Sequence, residues 1–197
     1  FYCNVLQTDQ PAPRGEWHPC PCCPPNIAKL FCKVGGFFYS TDKDGIYVKH
    51  YGASTAEIPL GQGVELIQQT EYPWDGKVTL RVGPKEATLF TLRLRKPDWA
   101  RSYTVKVNGK SLGIAPEHGW LTIRRTWKPD DKVELALEMT VERVTMPPQF
   151  KEYQDLAAVQ RGPIVFCLEE QDVNVPLKSV YIPEGTSLTH EYRSDLL

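Results

Sequence analysis

From residue 46 to residue 139 apolar side chains recur at every second position, in runs broken by turn-forming pairs. Period two is the pattern of a strand with one face on a core and the other toward water. Asp44-Gly45 leads into the run 46–51, and Asp75-Gly76 separates the run 64–71 from 77–82. Asn108-Gly109 follows the run 104–107. The first two pairs read as turns, and Asn-Gly, which accepts the positive φ angles of a tight hairpin, is the strongest short hairpin signal. Within 87–95, Phe90, Leu92 and Leu94 fall on one face and Leu89, Thr91, Arg93 and Arg95 on the other. The runs 120–127 and 133–139 flank Lys128-Pro129-Asp130-Asp131. In the second, Val133, Leu135, Leu137 and Met139 are expected inward and Glu134, Ala136 and Glu138 outward. Short alternating strands spaced by turns predict a mainly β fold, an antiparallel β-sandwich over residues 40–143. Met146-Pro147-Pro148 reads as a junction, and residues 162–168 as a strand opening a second, incomplete sandwich over 144–197.

The opening of the chain follows a different pattern. Residues 1–19 read as irregular, with loop chemistry at Gln10-Pro11-Ala12-Pro13-Arg14-Gly15. Ile27, Leu30, Phe31 and Val34 then recur at helical spacing. Pro24-Pro25 suits a helix entry and Gly35-Gly36 a helix stop, which predicts one short helix over 25–34.

The 197 residues suffice for a core without covalent staples, and the net charge of −1 gives no reason to expect nucleic acid or an anionic membrane as partner. No apolar run approaches the length of a membrane span, and Phe1 to Leu6 lacks the basic start of a signal peptide. The absence of an initiator Met suggests a piece of a longer or processed protein.

Three of the six cysteines crowd into Cys20-Pro21-Cys22-Cys23-Pro24-Pro25-Asn26, just before the predicted helix. A thiol at a helix N-terminus faces unpaired N–H groups and the positive end of the dipole, both of which favour thiolate. A thiolate is a metal ligand or a nucleophile. Adjacent Cys22 and Cys23 cannot bridge without strain, so clustering favours metal or reactive-thiol chemistry over a disulfide framework, and with it a reducing compartment. A structural zinc site takes four protein ligands, and no second paired cysteine motif follows. A metal site completed from outside the chain is expected instead. Cys3, Cys32 and Cys167 read as structural. His18 can ligate metal, bind substrate or cap a loop, and Trp17 can stack on a ligand or fill a core. No carboxylate pair announces a glycosidase acid and base, and no ligand patch stands out among the strands.

The run Cys20 to Leu30, with Gly35-Gly36-Phe37-Phe38-Tyr39 and Asp44-Gly45-Ile46-Tyr47-Val48, resembles the β-L-arabinofuranosidases of glycoside hydrolase family 127 and close relatives. Phe1-Tyr2-Cys3-Asn4-Val5-Leu6 and Leu156-Ala157-Ala158-Val159-Gln160-Arg161-Gly162-Pro163 resemble further stretches of that family. The resemblance implies that residues 1–39 end an (α/α)₆ catalytic barrel. It implies Cys22 as the nucleophile of a retaining glycosidase and Cys22 and Cys23 as ligands of one zinc, and it matches Cys20 to a further family cysteine; Cys20, with Trp17 and His18 beside it in sequence, is possible support. The remaining ligands (a glutamate and a cysteine), the acid/base glutamate and the rest of the barrel would lie upstream. The implied substrate is a carbohydrate with a terminal arabinofuranoside. A non-catalytic carbohydrate-binding sandwich and a redox or metal-storage module are the alternatives.

Overall fold

A computed structural model describes residues 22–169 and 173–193. Helix α1 (Cys23–Lys33) runs into a 3₁₀ turn (Val34–Phe37) and then into the strands. The helix starts two residues earlier than the sequence suggests. Its prolines stand in the first turn, where a missing N–H breaks no hydrogen bond.

Two sheets pack face to face. The first has the order β1 (Tyr39–Asp42), β2 (Gly45–Val48), β6 (Thr88–Arg95), β9 (Trp120–Trp127). The second runs β3 (Ser54–Ile58), β4 (Val64–Thr70), β5 (Lys77–Pro84), β10 (Asp131–Leu137), β7 (Tyr103–Val107), β8 (Lys110–Leu112). From the first sheet, Ile46, Val48, Leu92, Leu94 and Leu121 are fully buried, and from the second Val64, Leu66, Leu80, Val82 and Val133. Each fully buried aliphatic side chain contributes roughly 1.5–3 kcal/mol. Trp127, also fully buried, stacks on Phe90 and donates its indole N–H to the Phe90 carbonyl at 3.1 Å. Buried and outward positions alternate as expected along β10 as far as Leu137. The strand ends there, leaving Met139 half-buried beyond it.

Among the described residues, all strand pairings but one are antiparallel. The exception is β2 with β6, which are parallel, Gly45 opposite Thr91 and Val48 opposite Leu94. A parallel pair needs a long crossover, and here β3, β4 and β5 of the other sheet supply it. At Asn108-Gly109 both residues have positive φ, 50° and 77°, and join β7 to β8 in the expected hairpin.

A third sheet, β11 (Val141–Thr145), β12 (Ala157–Arg161) and β13 (Ile164–Phe166), follows the sandwich. Met146-Pro147-Pro148 lies inside it, in the connection from β11 to β12, rather than ahead of it. Prolines suit that loop because they have no N–H to give a ladder. The third sheet is tied to the sandwich by Arg161, whose Nη1 donates to the Trp74 carbonyl at 2.9 Å, and by the Arg101–Glu142 ion pair at 2.7 Å.

No described helix is long and apolar enough to cross a membrane.

Candidate active site

Cys22 is the N-cap residue of α1 and Cys23 its first helical residue. Both are exposed, and their sulfurs lie 3.9 Å apart. Asn26 holds the Cys22 carbonyl twice, through its backbone N–H at 3.2 Å and its side-chain Nδ2 at 2.9 Å. The first is the opening bond of the helix. The second fixes the peptide that carries the Cys22 side chain. Sequence reasoning took Asn26 only as the end of the cysteine run; its four-residue spacing from Cys22 was the available signal.

Two thiolates on one tetrahedral zinc, with Zn–S bonds of about 2.3 Å, stand about 3.8 Å apart. The observed separation matches that value, so Cys22 and Cys23 fit as neighbouring ligands. Among the described residues, no group of three or more His, Cys, Asp or Glu side chains converges as a metal site. Cys20, Trp17 and His18 lie outside the described residues, as does Cys3.

Cys32 and Cys167, expected to be structural, are both exposed. Cys32 is on α1, which buries none of its residues, and Cys167 follows the last residue of β13. The apolar stripe of α1 is equally open: Phe31 is 72% exposed.

A feature the sequence did not announce lies elsewhere. Glu71, Trp74 and Asp75 of the β4–β5 turn, Arg161, Ile164 and Phe166 of the third sheet, and residues 190–193 line one groove. Its members are scattered over more than a hundred residues of sequence, and no local pattern connects them.

Fold and thiol pair together define a β-sandwich protein entered through a helix that presents two adjacent cysteines. Residues 45–139 match the family described as "Beta-L-arabinofuranosidase, GH127 middle domain", and residues 141–193 the "Glycoside hydrolase family 127 C-terminal domain". The chain is 36% identical over 207 aligned residues to a non-reducing end β-L-arabinofuranosidase of Bifidobacterium longum subsp. longum, covering 95% of this chain and 31% of that protein. The solved structure of a GH127 β-L-arabinofuranosidase from Geobacillus stearothermophilus T6 is 39% identical with a TM-score of 0.88, covering 91% of this chain and 29% of that one. Another, a GH127 β-arabinofuranosidase, is 32% identical with a TM-score of 0.75, covering 79% and 27%. This chain therefore belongs to glycoside hydrolase family 127, where it matches the middle and C-terminal domains. It spans under a third of the length of these relatives.

Proposed function

We propose that this chain works within a longer retaining glycoside hydrolase that releases terminal β-L-arabinofuranose, with Cys22 as its nucleophile. The observation that carries the reading is the exposed pair of sulfurs 3.9 Å apart at the start of α1, in a chain of this family. The open apolar stripe of α1 supports packing against further helices of a catalytic barrel.

The chemistry follows from the thiolate. Cys22 Sγ attacks the anomeric carbon; a C–S bond forms as the glycosidic C–O bond breaks. The departing oxygen takes its proton from an acid/base glutamate outside this chain. Water, deprotonated by that glutamate, then displaces Sγ, so two inversions give net retention. Asn26 holds the Cys22 peptide during both displacements. Cys22 and Cys23 would hold zinc together with the upstream glutamate and cysteine. When bound, that ion keeps the thiols deprotonated and in place. Only one sulfur can align with the anomeric carbon, which leaves Cys23 to the metal.

The test is a pair of variants in the longer enzyme, assayed on an aryl β-L-arabinofuranoside with zinc content measured in parallel. Cys22→Ser is expected to abolish turnover, because a neutral hydroxyl is a far weaker nucleophile. Cys23→Ala is expected to lower zinc and turnover together. Turnover lost in Cys23→Ala at full zinc content would reverse the two roles. The 197-residue chain by itself is expected to be inactive, and turnover like that of the longer enzyme would sink the reading.

A further inference from the structure

We propose that the groove between the β4–β5 turn and the third sheet binds a neutral oligosaccharide, at a site separate from the cysteine pair. It has a volume of about 630 Å³, inside the range of roughly 300–1,000 Å³ typical of small-molecule sites. Three aromatic rings line it while remaining open to solvent: Trp74 is 50% exposed, Phe166 48% and Tyr192 69%. Aromatic surface of this size is normally buried. Its gathering around one concavity marks a place where something else covers it.

The turn that presents Trp74 is fixed from several sides. The Trp74 and Asp75 N–H groups donate to the Glu71 carbonyl at 2.8 and 3.2 Å, and the Tyr72 N–H to Thr70 Oγ1 at 3.0 Å. Arg161 of the third sheet holds the Trp74 carbonyl. A platform fixed before the ligand arrives loses little entropy on binding. The Arg161 Nε is buried and has no hydrogen-bond partner among the described residues.

The polar lining suggests the chemical class. Glu71, Asp75 and Glu191 bring three carboxylates, Arg161 and Arg193 two guanidinium groups, and His190 an imidazole. Acceptors and donors are thus mixed and the charges nearly cancel, which does not suit a polyanion. A sugar ring offers C–H groups on one face and hydroxyls that both donate and accept around its rim. The aromatic faces take the first and the ionised side chains the second.

The site does not rest on the thiol chemistry, and its test separates the two. The full chain, ¹⁵N-labelled, is titrated with arabinotetraose, xylotetraose and cellotetraose, and amide and indole signals are followed by NMR. Saturable shifts are expected at Trp74, His190 and Tyr192 with at least one sugar. Trp74→Ala and Tyr192→Ala should each weaken binding about tenfold, Trp74→Phe should retain most of it, and Cys22→Ser should leave it unchanged. Both aromatic positions are half-exposed or more, so these truncations leave the core intact. No shift at these residues with any of the three sugars at millimolar concentration would overturn the proposal. So would binding that survives Trp74→Ala or is lost in Cys22→Ser.

Discussion

Asn26 directs two N–H groups at one carbonyl, and that carbonyl belongs to the residue with the thiol proposed for chemistry. Truncating it removes one hydrogen bond, worth roughly 0.5–1.5 kcal/mol. Asn26→Ala in the longer enzyme is thus expected to lower kcat/KM by about two- to tenfold with the zinc content kept. An unchanged rate would mean that the helix alone positions Cys22. Asp131 does its work in the core. Burial would raise its pKa, but the Asn108 amide at 2.8 Å, the Lys128 N–H at 3.0 Å and the Arg125 and Lys128 charges outweigh that and hold it below the ordinary carboxylate value. A carboxyl lowered in the folded state adds stability that is complete above its unfolded pKa of about 3.9 and is lost as pH falls through the folded value. Between neutral pH and pH below about 4, the wild-type melting temperature should therefore fall further than that of Asp131→Ala. At neutral pH the substitution should cost about 1–3 kcal/mol, since it orphans the Asn108 and Lys128 donors. Equal acid sensitivity of both proteins would count against this account.

The elements visible in the sequence are those whose pattern is complete within one strand. Residues 77–82, 120–127 and 133–137 alternate clearly and fold as read. By contrast, β1 carries Ser40, Thr41 and Asp42 and lies at a sheet edge, where nothing forces an apolar period. The short β8 and the edge strand β3 are hidden for the same reason. The parallel pairing of β2 with β6 is a relation between segments more than forty residues apart, which no local pattern records. The candidate site divides similarly: the cysteine doublet is legible because its chemistry is contiguous, whereas Trp74, Arg161 and Tyr192 meet only through the fold. The parallel pair also has a single vulnerable point. A Cβ at Gly45 would collide with the Thr91 carbonyl oxygen, in a place where the Thr91 N–H also donates to the Asp44 carbonyl at 2.9 Å. Gly45→Ala must push β2 away from β6 and should destabilise the sandwich by roughly 1–3 kcal/mol. Denaturant unfolding would measure it, and a loss within error would show that the strands part without cost.

At the scale of the whole molecule, the thiol pair and the core are carried by different parts of the chain. The cysteines sit on a helix that buries none of its residues, while the buried cluster runs from Ile46 to Leu137 through the two sheets. The sandwich should therefore keep its fold when metal is withdrawn and fail when its centre is emptied. Removing Trp127 tests the second half: it is fully buried, stacks on Phe90 and bonds to the Phe90 carbonyl. Trp127→Ala should cost about 3–5 kcal/mol, read from denaturant unfolding. Chelation tests the first half. Strong chelator added to the longer enzyme, where the upstream ligands would complete the site, should leave the far-ultraviolet β contribution of the sandwich intact. Amide protection at residues 133–137 should also survive, since β10 is hydrogen-bonded on both sides, to β5 and to β7. Hydrogen exchange that accelerates across β10 on chelation would show that the metal site and the core fold as one unit, and that the separation argued from α1 is wrong.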